Sequence, residues 1–257
     1  MDEEGRRVSE LYDAIGSGYA LQRRSDSRIA AQIRNALGPV CSLVNVGAGA
    51  GSYEPSGCRV FAVEPSQTML EQRLDRRASA IRGSCSPLPL RNDCVDAALA
   101  VLTVHHWPDR IAGLRELRRV SRGPVVVMSW DPDAADFWLS DYFPRLIEID
   151  RQIFPRRNEF EAAWGKLDWQ VVPVPADCSD GFFAAYWARP KAYLDARFRA
   201  AMSSFAKLEQ DEVEAGVTAL AQDLRSGAWQ ERNQGLLRSE ALDAGYRLAV
   251  SRISTAS

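Results

Sequence analysis

Residues 43–51 read LVNVGAGAG, an apolar run broken once by Asn45 that meets a glycine at every second position, Gly47, Gly49 and Gly51. The run has the length and composition of a buried strand. Alternate glycines at its end let the chain turn tightly and let a ligand approach backbone that a Cβ would otherwise block. On the N-terminal side, SRIAAQIRNAL (27–37) puts Ile29, Ile33 and Leu37 on one helical face and is stopped by Gly38-Pro39. On the other side, strand-like runs recur at CRVFAVE (58–64), SAIRG (79–83), VDAALAVLTV (95–104) and PVVVMSW (124–130). Helical patterns lie between them at SQTMLEQRLDRR (66–77) and DRIAGLRELRRVSR (109–122). This alternation predicts an α/β fold whose parallel sheet is covered on both faces and binds ligands beyond the carboxyl ends of its strands.

The second strand ends at Glu64, where a carboxylate can accept both hydroxyls of a ribose. A dinucleotide site would need G-x-G-x-x-G opening a full helix toward the pyrophosphate. Here the spacing is G-x-G-x-G, and only twelve residues separate Gly51 from Glu64, Pro55 and Gly57 among them. SYEPSG (52–57) cannot hold a three-turn helix. A ligand with a ribose but no phosphates fits better, which describes S-adenosylmethionine.

From about residue 40 to 130 the chain resembles the class I S-adenosylmethionine-dependent methyltransferases, in particular the small-molecule group that includes quinone-biosynthesis C-methyltransferases. LVNVGAGAG matches their glycine-rich first motif and VFAVEPSQTML (60–70) the second. IRGSCSPLPLRNDCVDAALA (81–100) matches the third, with Gly83, Leu88, Pro89 and Asp96 on its fixed places, and VLTVHHWPD (101–109) the fourth. The resemblance implies a Rossmann-like, doubly wound sheet of seven strands, mostly parallel with the last strand antiparallel. It implies S-adenosylmethionine as cofactor; separately, two histidines and no C-x-x-C pair give no evident metal site. Gly47, Ala48, Gly49 and Gly51 would lie under the methionine and ribose, with Glu64 on the ribose, Met69 beside adenine, and Ser84 and Cys85 at the adenine amino group. Pro65, Leu102 and Thr103 complete the implied set.

Two positions depart from the family pattern. Asn45 stands where an acid usually lies near the methionine ammonium, and Ser84 where an aspartate often takes the adenine amino group. Both can still accept a hydrogen bond. On this reading Asn45→Asp should retain or improve cofactor binding. Glu64, taken as a solvent-facing strand end, should be replaceable by Ala without loss of fold.

Beyond about Asp131 lies the expected source of specificity. All seven tryptophans lie between residues 107 and 229, and eight of nine phenylalanines follow residue 130. Most should fill the core of a helical, aromatic-rich insertion forming an acceptor lid. Some of Phe137, Trp138, Tyr142, Phe143, Phe182, Phe183, Tyr186 and Trp187 should line an acceptor pocket. WQVVPVP (169–175) and AGYRLAVSRI (244–253) read as the sixth and seventh strands, with helices at YLDARFRAAMSSFAKL (193–208) and EVEAGVTALAQDLRSG (212–227). The expected division is an N-terminal helical cap over 1–30, a cofactor-binding core over 31–130, lid and sixth strand over 131–243, and the final strand over 244–257.

Methyl transfer is an in-line displacement, so the protein mainly aligns the acceptor and excludes water, and a base helps where the acceptor carries a proton. His105 and His106 follow the fourth strand and are the candidates for that base, with His105 preferred from strand alternation. A structural cap is the competing reading. Tyr12 and Tyr19, in a helix and turn at 8–20, are candidates for orienting the acceptor or binding the cofactor's carboxylate. The expected partner is a small-molecule methyl acceptor. A formal charge of −2 gives no electrostatic case for nucleic acid or an anionic membrane. MDEEGRR lacks the apolar core of a signal peptide, no apolar run has the length of a membrane span, and five cysteines without C-x-x-C spacing read as reduced cytoplasmic thiols. Two other readings use the same residues. One is a methyltransferase-fold protein that catalyses a cyclisation or acts as a binding module; the other, a nicotinamide-dependent reductase, conflicts with the missing helix after Gly51.

Overall fold

The computed structural model describes residues 23–73, 79–135 and 137–252. The chain enters through α1 (Ser27–Leu37), whose first turn is capped by the Asp26 side chain and which buries Ile29, Ile33, Ala36 and Leu37. Gly38, at φ 68°, ends it. Then come β1 (Ser42–Val46), β2 (Arg59–Glu64), the short α2 (Gln67–Glu71), β3 (Ser79–Arg82), β4 (Ala97–Val101), α3 (Arg110–Val120) and β5 (Val125–Trp130). No helix intervenes between β1 and β2, as Pro55 and Gly57 require.

The second half supplies α4 (Pro144–Ile153), α5 (Arg157–Trp164), β6 (Asp168–Val171), β7 (Val174–Pro175), α6 (Ala196–Ala200), α7 (Gln210–Ser226), α8 (Ala228–Arg232), β8 (Ala241–Leu242) and β9 (Tyr246–Ser251). Seven strands form one sheet in the order β3-β2-β1-β4-β5-β9-β6. β9 runs antiparallel to both neighbours, and the other pairings are parallel. This is the doubly wound, mostly parallel sheet with an antiparallel last strand that the sequence implied. Strand order reverses at β1, between β2 and β4, which opens a crevice beyond the carboxyl ends of those strands.

Every residue of β5 is buried, the environment its VVVMSW run demands of a central strand. One core lies on the α3 and α5 face, around Val44, Leu114, Leu117 and Phe160. The other joins α1 to the lid, where Trp187, Trp229 and Tyr193 are almost wholly enclosed. Trp138 meets Trp229 edge-on at 5.1 Å, and its indole Nε1 donates to the Trp187 carbonyl at 2.8 Å.

Four expectations need correction. The run 95–104 is strand only over Ala97–Val101; Leu102 takes a left-handed φ of 50° and residues 104–106 form a 3-10 turn. The run 169–175 splits after β6 because Pro173 has no N–H to continue the ladder, and β7 pairs with β8 in a separate ribbon. The run 193–208 is broken around α6, which begins where Asp195 caps Arg197 N–H. The helical pattern 66–77 is observed as α2, capped by Ser66, and residues 74–77 lie outside the described residues. α4, α5 and α8 escaped the reading of the sequence. No helix among the described residues is long and apolar enough to cross a membrane.

Candidate functional site

The glycine loop is stitched to the end of β2, where Gly47 and Ala48 N–H donate to the Val63 carbonyl at 2.8 and 3.2 Å. Gly47 has φ 67°, and a Cβ there would fall 2.0 Å from Thr103 Oγ1, so only glycine lets the end of β4 come so close. Glu64 is 5% exposed, which corrects the expectation of a solvent-facing acid. Its Oε2 accepts from Gly49 N–H at 2.9 Å and its Oε1 from Ser66 N–H at 3.0 Å. A carboxylate has about four lone-pair sites, more than these two bonds use.

Of the expected cofactor positions within the described residues, Asn45, Gly47, Ala48, Gly49, Glu64, Pro65 and Met69 line one side of a single crevice. Ser84, Cys85, Leu102 and Thr103 line it too. Gly51 does not; at φ 95° it turns the chain behind the loop and faces Glu54 and Arg73. Arg23, which the sequence reading did not single out, also lines the crevice. Tyr12 and Tyr19 lie outside the described residues. A Cβ on Gly49 would press on Met69 Cε at 3.3 Å, at a φ of 51° that side chains rarely adopt. Gly49→Val is therefore expected to weaken cofactor binding, and normal calorimetric affinity in a folded variant would reduce the loop to a plain turn.

Asn45 is wired into a buried network. Its Nδ2 donates to Glu54 Oε1 at 2.9 Å; Arg73 pairs with Glu54 Oε2 at 2.6 Å and reaches the Gly49 carbonyl at 3.3 Å. Because the amide nitrogen is taken by Glu54, the Oδ1 is left buried without a partner among the described residues. That orphaned acceptor on the crevice wall, with the glycine cradle and Glu64, suits a ligand bearing an ammonium and a ribose.

The two histidines part company. Their rings are 3.9 Å apart, yet His106 lines the cofactor crevice and His105 lines a second, aromatic cavity. This cavity is walled by Trp130, Phe154, Phe182, Phe183 and Tyr246, and it shares Leu102 and Arg23 with the crevice. His105 stacks on Phe154 at 4.0 Å, and its Nδ1 is buried without a hydrogen-bond partner among the described residues. Enclosure disfavours the imidazolium at both sites, pushing His106 down to about 3 and His105 well below its ordinary value. Both are neutral rings near pH 7. One acid, Asp150 of α4, also lines this cavity.

Of the eight lid aromatics expected to offer a pocket, Phe182 and Phe183 reach this cavity. Trp138, Tyr142, Phe143 and Trp187 are core, Phe137 packs edge-on against Phe183, and Tyr186 lines a separate groove with Phe198 and Trp229. Trp130, Phe154, Tyr246 and Asp150 were missed, because none belongs to a local motif.

Known proteins share these features. Residues 44–127 match the family described as Methyltransferase domain. A solved structure from Anabaena variabilis, described as a methyltransferase from an antibiotic biosynthesis pathway, superposes with a TM-score of 0.84 at 32% identity, covering 90% of this chain and 99% of that one. Demethylmenaquinone methyltransferase of Corynebacterium kroppenstedtii is 28% identical over 131 residues, 47% of this chain and 57% of the relative. Mouse tRNA (carboxymethyluridine(34)-5-O)-methyltransferase is 23% identical over 137 residues, 51% of this chain and 21% of the relative. The matches thus span little more than half of one curated relative and about a fifth of the other. With the sheet order, the glycine cradle and Glu64 in place, the chain belongs to the class I S-adenosylmethionine-dependent methyltransferases, and S-adenosylmethionine is its cofactor.

Proposed function

We propose that the protein methylates a small, largely apolar acceptor held in the aromatic cavity beside the cofactor crevice. The observation that carries this reading is the shared wall: Leu102 and Arg23 border both spaces, so a molecule in the cavity adjoins a ligand in the crevice. The cofactor supplies an electrophilic methyl group. The chain's residues hold and align. Asn45, Gly47, Gly49 and Glu64 bind, Phe154 and Trp130 give a flat acceptor aromatic surface to pack on, and an acceptor seated there displaces water from the reacting atoms. A formal charge of −2 gives no support for tRNA as the acceptor.

The test is direct. Candidate ring compounds are incubated with protein and S-adenosylmethionine, and mass spectrometry should show one added methyl group with stoichiometric S-adenosylhomocysteine. Acceptors rearranged without methyl gain and without cofactor demethylation would replace this reading by the cyclisation alternative.

His105 acts here as a neutral ring that positions the acceptor. His105→Ala is expected to lower kcat/KM roughly 10²-fold through misalignment, with cofactor affinity nearly unchanged. His105→Gln, which keeps a hydrogen-bonding group, should lose less. Full turnover in His105→Ala would leave the ring as wall alone.

A further inference from the structure

We infer that Asp150 receives the acceptor's proton and that the acceptor is a neutral molecule with a hydroxyl on an aromatic ring. This rests on the methyl-transfer reading above and names the substrate class of the same site. Asp150 is 3% exposed, set on the inner face of α4 beside Leu146 and Ile147, where a leucine would pack at no electrostatic cost. Its one side-chain hydrogen bond is from Ser204 Oγ to Oδ1 at 2.5 Å, and it forms no salt bridge among the described residues. A buried carboxyl that no salt bridge holds in contact is costly for folding, and this one sits on a cavity wall, within reach of a ligand.

The surrounding charges select the class. Lys207 stands near Asp150 from the 3-10 turn 205–207, and the cofactor's sulfonium adds a second positive charge; Arg23, which borders the cavity, is neutralised by the buried Asp180 at 2.8 Å. A cationic amine would face Lys207 and the sulfonium, with the one carboxyl of Asp150 to offset them. A neutral hydroxyl needs only an acceptor atom. The other titratable groups facing Asp150, His105 and Tyr246, are uncharged near pH 7, since burial lowers the first and raises the second. Burial also lifts Asp150 to about 6, close to a working pH, whereas His105 is too weak a base to compete.

The step balances. The hydroxyl oxygen bonds to the methyl carbon, the carbon–sulfur bond breaks with its electron pair staying on sulfur, and a neutral thioether leaves. The hydroxyl proton passes to Asp150, which returns it to solvent as product departs.

The experiment pairs binding with turnover. Calorimetry on the protein saturated with S-adenosylhomocysteine compares 1-naphthol, naphthalene and 1-naphthylmethylammonium. Naphthol should bind at least about 10-fold tighter than naphthalene, and Asp150→Asn should erase that advantage. Equal binding of the two, tighter binding of the ammonium, or no binding of naphthol would overturn the class. With S-adenosylmethionine and naphthol, kcat/KM should fall as the pH drops through about 6. That limb should vanish in Asp150→Asn. It should move to higher pH in Ser204→Ala, which loses the hydrogen bond favouring the carboxylate and gives a second reading should Asp150→Asn fail to fold. Unchanged rate and pH profile in Asp150→Asn sinks the inference and spares the proposed function. Naphthol discrimination with no methyl transfer to any acceptor does the reverse.

Discussion

Glu64→Ala is expected to lower both the affinity for S-adenosylhomocysteine and the melting temperature. The second effect follows from burial. Removing the carboxylate leaves the Gly49 and Ser66 N–H groups without their acceptor in a site 5% exposed. Each orphaned donor costs about 1–3 kcal/mol. For a chain of this size two of them should lower Tm by at least about 4 °C. The ribose contribution is separate. A hydrogen bond to a charged group contributes about 1.5–3 kcal/mol, so calorimetric affinity should drop at least about 10-fold. Glu64→Gln isolates the two roles, since its amide can accept one of the two N–H groups but turns a donor toward the other. A lowered Tm with unchanged affinity would make Glu64 a fastener of the glycine loop and remove it from the ribose site.

How far these residues could be read from sequence depends on where their partners lie. The strand, the glycine turn and the absence of a helix before β2 are set locally, by β-branched residues and by Gly47, Gly49, Pro55 and Gly57. Glu64's place was equally legible; its burial was not, because one of its donors arrives from fifteen residues back in the chain. Strand alternation alone does not place the two histidines. β4 ends at Val101, and in the 3-10 turn that follows, neighbouring side chains diverge by about 120°, which sends His105 and His106 to different cavities. Asp150 in LIEIDRQI looks like the polar stripe of an ordinary surface helix. Only Ser204, 54 residues away, and the cavity reveal that it faces inward. The lid aromatics announced an apolar mass, while which of them reach the cavity depends on how α4 and the 181–189 segment pack.

Asn45→Asp carries the sharpest reversal between sequence and structure. Against the family pattern alone, an acid at this position restores a carboxylate near the methionine ammonium. The network around Asn45 forbids that simple exchange. Asn45 Nδ2 donates to Glu54 Oε1 across 2.9 Å, and a carboxylate in its place would set two anions at that distance in a buried pocket. One of them must then hold a proton, so the shared pair has one pKa well above the ordinary carboxylate range. A carboxyl raised in the folded state favours folding below its unfolded pKa and loses that contribution as pH climbs through the folded value. The variant's deficit against wild type should therefore widen from about pH 5 to pH 8. Glu54→Gln alone should also harm the fold. It leaves Arg73, 8% exposed and paired with Glu54 at 2.6 Å, as a buried cation without its anion, a loss of about 3–5 kcal/mol. Combining Asn45→Asp with Glu54→Gln exchanges the two roles. The amide introduced at position 54 can donate to the carboxylate introduced at position 45, and the pocket again holds one carboxylate and one guanidinium. Rescue should appear as a coupling energy of about 1–3 kcal/mol. Binding separates charge from wiring. If the ammonium responds to charge, the exchanged pair should bind S-adenosylhomocysteine at least as tightly as wild type, with a carboxylate now on the crevice wall. Additive stability losses in the double variant would mean that Asn45 and Glu54 are not coupled. An Asn45→Asp protein as stable as wild type at pH 8 would show that the pocket accepts both charges, and would return Asn45 to a passive substitution.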